Sequence, residues 1–454
     1  MEMVRPNTHH RFYRAMAVLA FVVAQLVVLL VPLKMHEPDD WGFKYAARNF
    51  ASGQLTLNDE QYVRQYYEVA DAGGQFWSYG SVGGGHWAFT MAPGYAFYIA
   101  PFERAGIPQL GASLLSLGLA AILYLFLTRL KDEKTALFGV VLLVFEPLYL
   151  AMWQRVYIDA FAALAFCGVG GGLYLYYWLS RTHLSARMSA AVLFAAGFLL
   201  MASVSMRYTN IAIVVVFGIH FLVMALRSHL QRQNFLPTGF LFGVGMMLPL
   251  AGLLIYHGIV FGSPFSFGGE FAQVPERFAW NYGAGIGYNI VRGNVIQLWA
   301  PLIVALPIII AAIPSFGAVA YGKGFFSRRL DTWPELPAHT YHVLLGWMAI
   351  VFGLYVMYEF TSYQAGGRIP FPLLTRFYLP ALLPLVIITA LMFRRLSVKI
   401  WGSAIIALTV LGIIFFIQVA QVQTQFVAKP APPSPNISIL SKNTQTVATE
   451  EFML

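Results

Sequence analysis

Charge is what this sequence has least of. Only 11% of its 454 residues are Asp, Glu, Lys or Arg, against roughly 25% in a soluble domain, so an ordinary soluble enzyme is excluded. Cysteine is almost absent too. The single Cys167 lies in an apolar run, which rules out an intrachain disulfide and leaves cysteine usage silent on compartment. There is no His-x-x-x-His or Cys-x-x-Cys pattern, which argues against a zinc hydrolase. No Gly-Lys-Ser/Thr follows the glycines at 73, 74, 80 and 83 to 85, so that stretch reads as turns and not as a phosphate-binding loop. Repeats of fixed period and a soluble catalytic domain are also missing.

What fills the chain is apolar. Hydrophobic residues make up 58% of it, and several runs reach the roughly 20 residues that cross a bilayer. The expected fold is an all-α polytopic membrane protein of about eleven spans, near 15–33, 109–129, 135–152, 159–180, 189–206, 208–226, 237–257, 298–316, 339–358, 376–393 and 400–420. The formal charge of +9 does not point to nucleic acid, because the basic residues are spread over short connecting loops. That pattern is topogenic. Arg5, Arg11, Arg14, Arg129, Lys131, Lys134, Arg181, Arg187, Arg394 and Arg395 fall on one side, as Lys and Arg do in cytoplasmic loops. The first span is longer than a signal-peptide core and lacks a small-x-small cleavage site, so it reads as retained, with the N-terminus cytoplasmic.

On the opposite, extracytoplasmic side the loops are long. Residues 34–108 form a first loop with an amphipathic segment from Trp41 to Phe50 and a half-buried run from Ala92 to Phe102, studded with aromatic rings that suit a membrane interface. A second long segment, 258–297, is too rich in Gly, Pro and Asn for a continuous helix. Residues 1–428 thus read as one membrane domain, and 429–454, rich in Pro, Ser and Thr, as a flexible tail with a formal sequon at Asn436.

Ionisable groups at membrane helix ends are costly and mark function by default. Glu37, Asp39 and Asp40 cluster just after the first span, Asp159 opens another, and Arg155, Arg207, Arg368 and Arg376 lie on the same side. Glu146, followed by Pro147, is equally a capping residue and a polar cavity group. Acids and arginines at a lipid boundary suit sugar transfer from a lipid-linked phosphate: arginine grips the phosphate oxygens, and a carboxylate accepts the proton of the incoming hydroxyl. The alternative is that these groups merely pair with one another or with lipid headgroups.

The stretch DDWGFKYAARNFASGQL resembles the first-loop signature of GT-C-type membrane glycosyltransferases, the superfamily of protein O-mannosyltransferases and aminoarabinose transferases. Asp39 and Asp40 fall on its acidic pair, Phe43 on the aromatic, Ala47 on the alanine and Gly53 on the glycine. APGYAFYIAPFERAG (92–106) is similar to the re-entrant segment, with Ala92 in place of the first proline. RVYIDAFAA, IVFGSPFSFGG and LTRFYLPALLPL resemble later segments. Asp40 departs from the commoner Glu, and no large soluble C-terminal domain follows the last span.

The resemblance implies a transferase that uses a polyprenyl-phosphate sugar donor among membrane lipids, with a glycolipid, polysaccharide or protein hydroxyl as acceptor. Asp39 or Asp40 would be the base, with Asp39 favoured, and Asp159 would support the acceptor or a metal. Arg207, Arg376 and Arg368 would face the donor phosphate. No cofactor is expected, Mg2+ or Mn2+ being the exception, and a prokaryotic plasma membrane is the expected location. A transport protein or a non-catalytic subunit of a membrane complex is the alternative.

Overall fold

The computed structural model describes residues 8–31, 38–72, 74, 76, 78–230, 236–271, 338–358, 376–393 and 398–425. Apolar runs become helices because a backbone in lipid must satisfy its own hydrogen bonds. The chain is an integral, multi-pass membrane protein. Helix α1 (Thr8–Leu30) crosses first, and α2 (Pro38–Ala51), α3 (Asp59–Asp71) and α4 (Gly94–Arg104) belong to the first loop. The bundle continues with α5 (Pro108–Leu130), α6 (Glu133–Val144), α7 (Pro147–Gln154), α8 (Asp159–Ser180), α9 (Ala186–Met206), α10 (Ile211–Leu230) and α11 (Leu236–Phe261). Its later described helices are α12 (Ala338–Val356), α13 (Leu382–Phe393) and α14 (Val398–Gln425).

Among the described residues, six helices are long and apolar enough to span, or seven if α6 and α7 form one bent span. Shorter apolar helices fall at the last three expected spans. The expected span 298–316, the tail 429–454 and most of 258–297 lie outside the described residues, so a count of eleven is not reached. The expected continuous span 135–152 is instead bent by 59° between Val144 and Pro147. Proline disfavours helical geometry in the residue before it, and Glu146 is extended (ψ 123°), its carboxylate accepting from the Tyr149 backbone N–H as an N-cap. Of the two readings of Glu146, capping is the one its geometry shows.

The helices alternate between two faces. Arg14 of α1 meets Glu133 of α6 at one face. Gln154, at the end of α7, donates to the Val31 carbonyl at the other, which carries the first loop and is called here the loop face.

The first loop holds a feature absent from the expectation, a three-stranded antiparallel sheet. Strands β1 (Thr56–Asn58), β2 (Tyr79–Gly83) and β3 (His86–Phe89) are ordered β1-β3-β2, with Leu57 opposite Trp87 and Tyr79 opposite Phe89. The glycines do form a turn where expected. Gly83, Gly84 and Gly85 all have positive φ, the region that costs glycine nothing. Asn58 and Gln61 form a capping box that starts α3 directly after β1. Trp41, Phe43 and Tyr45 of α2 are buried with Phe76, Tyr79, Phe89, Tyr95 and Ile99 in a separate core, which seats this layer on the ends of the spanning helices. Truncating the fully buried Phe43 to alanine is expected to cost about 3–5 kcal/mol.

Candidate functional site

Helix α2 starts three residues earlier than the amphipathic pattern suggested, because Pro38 takes the first helical position, where its missing N–H is no loss. Asp39 and Asp40 therefore occupy the first turn, where the helix dipole favours negative charge. Adjacent residues on a helix point some 100° apart, and these two have different fates. Asp40 is buried against the Arg155 guanidinium, and both side chains are under 5% exposed. Asp39 stays 21% exposed and accepts from Arg376 Nη2. Arg376 opens the short 3-10 helix Arg376–Ala381 that leads into α13.

Asp159, at the start of α8, forms a two-pronged pair with Arg207, at the end of α9. Nε donates to Oδ2 at 2.8 Å and Nη2 to Oδ1 at 2.7 Å. A planar fork meeting a planar carboxylate is the strong form of this interaction. It leaves Nη1, which is buried without a hydrogen-bond partner among the described residues. The Phe377 ring links the two arginines: the Cζ of Arg207 lies 4.9 Å from its centroid and that of Arg376 lies 5.1 Å away. Tyr355 and Tyr358 of the α12 end pack on the same ring, and the Tyr355 hydroxyl shares a hydrogen bond with Thr209.

All three expected acids and two of the three expected arginines thus converge on the loop face. Arg368 lies outside the described residues. The plainer alternative, mutual pairing, also describes the geometry, since each acid meets a guanidinium. Arg155 stood out in the sequence as a charged group on this side but carried no assigned role. Its position at a helix end beside Asp159 was the available signal, but its pairing with a residue 115 positions away was not in the sequence.

A second layer fixes the loop that bears Arg155. The Tyr95 hydroxyl of α4 donates to the Val156 carbonyl. Burial pushes the Tyr95 phenol well above its ordinary pKa, and the carboxylates of Asp159 and Asp40 push the same way, so it remains a donor. Helix α4 reaches this position through Gly94, where an added Cβ would lie 2.3 Å from Ser205 Oγ and 2.7 Å from the Ser205 backbone. A Cβ added at Gly268 would likewise lie 2.1 Å from the Thr90 carbonyl oxygen. Nearby, the buried His257 shares a hydrogen bond of 3.0 Å with the Tyr208 hydroxyl.

No protein-family model matches the sequence, and no curated protein matches it. Solved structures do match. The crystal structure of ArnT from Cupriavidus metallidurans bound to undecaprenyl phosphate aligns with 89% of this chain at 14% identity and a TM-score of 0.50. Archaeoglobus fulgidus AglB, an oligosaccharyltransferase in complex with an inhibitory peptide and a dolichol-phosphate, aligns with 93% at 10% identity and a TM-score of 0.51. The protein has the GT-C fold. Its chain spans 64% of the length of that ArnT and 57% of that AglB.

Proposed function

We propose that the protein is a membrane glycosyltransferase that moves a sugar from a polyprenyl-phosphate-linked donor to an acceptor hydroxyl at the loop face. The observation that carries this reading is the meeting of three carboxylates with three guanidinium groups on that face of a GT-C scaffold. Arg207 Nη1, buried and unengaged among the described residues, supports it further. Buried ion pairs are weak evidence for stability, since desolvation offsets much of their attraction. Three at one end of a bundle fit better with holding a charged ligand.

In the proposed reaction the acceptor oxygen bonds to the sugar's anomeric carbon as the bond from that carbon to the phosphate oxygen breaks. Asp39, the more exposed acid, takes the acceptor proton, and the leaving phosphate takes the bonding electrons. Arg376 moves from Asp39 to the phosphate, which frees the carboxylate as the donor arrives, and Arg207 Nη1 supplies a second contact. Arg368 completes the donor set by resemblance. Asp159 and Asp40 are positioning residues in this scheme: one holds the Arg207 fork, and the other anchors α2 to Arg155. The ligands named for ArnT and AglB, undecaprenyl phosphate and dolichol-phosphate, belong to the proposed donor's class.

The reaction is proposed without a resident metal. A hard divalent cation gathers several oxygens around one point, whereas each acid here faces an arginine, and among the described residues no three acidic, histidine or cysteine side chains are grouped so that they could hold a metal ion. EDTA should leave transfer intact; loss restored by Mg2+ or Mn2+ would reverse this point. The loop face is proposed to be extracytoplasmic. Single cysteines placed in residues 38–104 should react with an impermeant thiol reagent in intact cells, and labelling only after lysis would invert the topology.

Incubating membranes with labelled polyprenyl-phosphate sugars and following the label into protein, lipid or polymer tests the reading and identifies the acceptor. A chain that transfers no label from any such donor, yet moves solute across vesicles, would point instead to the bent α6–α7 helix as a transport element.

A further inference from the structure

At the far end of α2, nine residues and about 13 Å from Asp39, an open cavity of about 790 Å³ is lined by Arg48, Phe50, Ser52, Gly53, Glu103 and Arg104. Its charges are arranged asymmetrically. Both oxygens of Glu103 are committed to neighbours: Oε1 accepts from Arg48 Nε at 2.7 Å and Oε2 from the Tyr157 hydroxyl. The guanidinium of Arg104 is exposed and, among the described residues, makes a long contact of 3.5 Å with the Ala51 carbonyl. Lys44, one turn before Arg48, has its ammonium pKa lowered by burial and by the repulsion of Arg48. Lys44 itself sits over the Trp41 ring, 5.1 Å from its centroid, but the two lining arginines against one carboxylate already leave an excess of positive charge facing the opening.

The surroundings are apolar and face outward. On α4, Phe97, Pro101 and Arg104 lie along one exposed edge, and Phe97 stacks on Phe50 at 4.2 Å. Three residues after Arg104 the outward side of α5 begins with Ile107, Leu110 and Leu114, each close to half exposed. At the other end of α4, Phe97 packs on Tyr256 of α11, whose outward neighbours Ile255 and Ile259 are more than 60% exposed. Helix α4 therefore lies along the bundle edge at the level where lipid-facing surface gives way to the polar layer, with its cationic end over the start of α5.

We infer that this cavity binds the phosphate of an anionic membrane lipid, with Arg48 and Arg104 on the headgroup and the acyl chains along Phe97, Ile107 and Leu110. The guanidinium pair supplies forked donors for phosphate oxygens, and the apolar track supplies what a soluble anion would not use. The inference goes beyond the transferase reading and needs only the membrane placement of the chain.

The test uses the full chain, purified and delipidated in detergent, with a fluorescent phosphatidylglycerol as probe and phosphatidylcholine as its zwitterionic counterpart. Phosphatidylglycerol should bind saturably and at least about tenfold tighter. Arg48→Gln and Arg104→Gln should each weaken it about fivefold, and together by more, as expected for basic residues at a lipid surface. Arg64→Gln, which removes an exposed cation of α3 that pairs with Glu68 of its own helix, should change nothing. Millimolar inorganic phosphate should fail to displace the probe. Equal binding of the two lipids, an equal loss in the Arg64 variant, or displacement by phosphate alone would each overturn the assignment. If Arg48→Gln fails to fold because Glu103 loses its partner, the exposed Arg104→Gln decides. Transfer activity is not the readout, so failure here leaves the proposed reaction untouched, and the reverse also holds.

Discussion

The two faces of the bundle handle charge differently. At the loop face, Asp40–Arg155, Asp159–Arg207 and Asp39–Arg376 are withdrawn from solvent on both sides of each pair, none of the six side chains being more than 21% exposed. At the opposite face, Glu133 is buried but its partner Arg14 is 69% exposed, the arrangement of a helix start tied down by a solvated cation. Surface pairs contribute little, whereas buried pairs penalise the loss of either partner heavily. The loop face thus holds groups whose removal is felt, and the opposite face holds groups that orient the chain.

The sharpest way to break this contrast is at Asp39. Asp39→Asn should lower transfer by about 10^2 to 10^4 while the protein still inserts, because an amide cannot accept the acceptor's proton. Transfer rates on the purified protein check it, and a loss under about tenfold would demote Asp39. If Asp40→Asn proved the inactive variant instead, the base would be the buried acid.

Next comes stability. Arg155→Ala should destabilise by about 3–5 kcal/mol, since it strips a buried carboxylate of its guanidinium partner. Thermal unfolding in detergent measures this, and the double variant Arg155→Met with Asp40→Leu should recover much of the loss. A double variant no better than the single would mean that Arg155 does more than compensate Asp40.

A smaller effect is expected at Arg376. Lysine keeps the charge but not the fork, so Arg376→Lys should raise the donor KM by roughly tenfold and leave the acceptor KM alone. Unchanged donor kinetics would remove Arg376 from the phosphate site. The smallest change belongs to the opposite face: Arg14→Gln should leave Tm within error of the wild type and transfer unaffected. A marked loss there would erase the contrast between the faces.

Much of the fold was legible because its signal is local. Twenty apolar residues without a charge need no partner to be recognised as a span, and α8 and α9 fall within a few residues of their expected positions. The break at Glu146–Pro147 was legible in principle, since a residue before proline resists helical geometry, but hydropathy averages over such a residue. The sheet was not legible. Its strands are three to five residues long, and their stability comes from packing on α2 and α3, not from alternation in their own sequence.

The acids and arginines of the site were visible as outliers in an apolar chain, but their pairing was not. Which of two adjacent aspartates turns inward depends on the exact start of α2, and a boundary shifted by one residue exchanges their roles.

The Asp39–Arg376 contact joins positions separated by 337 residues, and that span has a consequence in time. In synthesis from the N-terminal side Asp39 and Asp40 precede Arg155, Asp159 and Arg207, and all five precede Arg376. Arg376 emerges only after helices α1 to α12 have been made. Chains arrested before it would have packed helices and an intact first loop, yet their acidic first turn would lack its last arginine. Completion of the site therefore waits on the synthesis of Arg376, and nascent chains of increasing length should acquire stable helix packing well before they acquire donor binding.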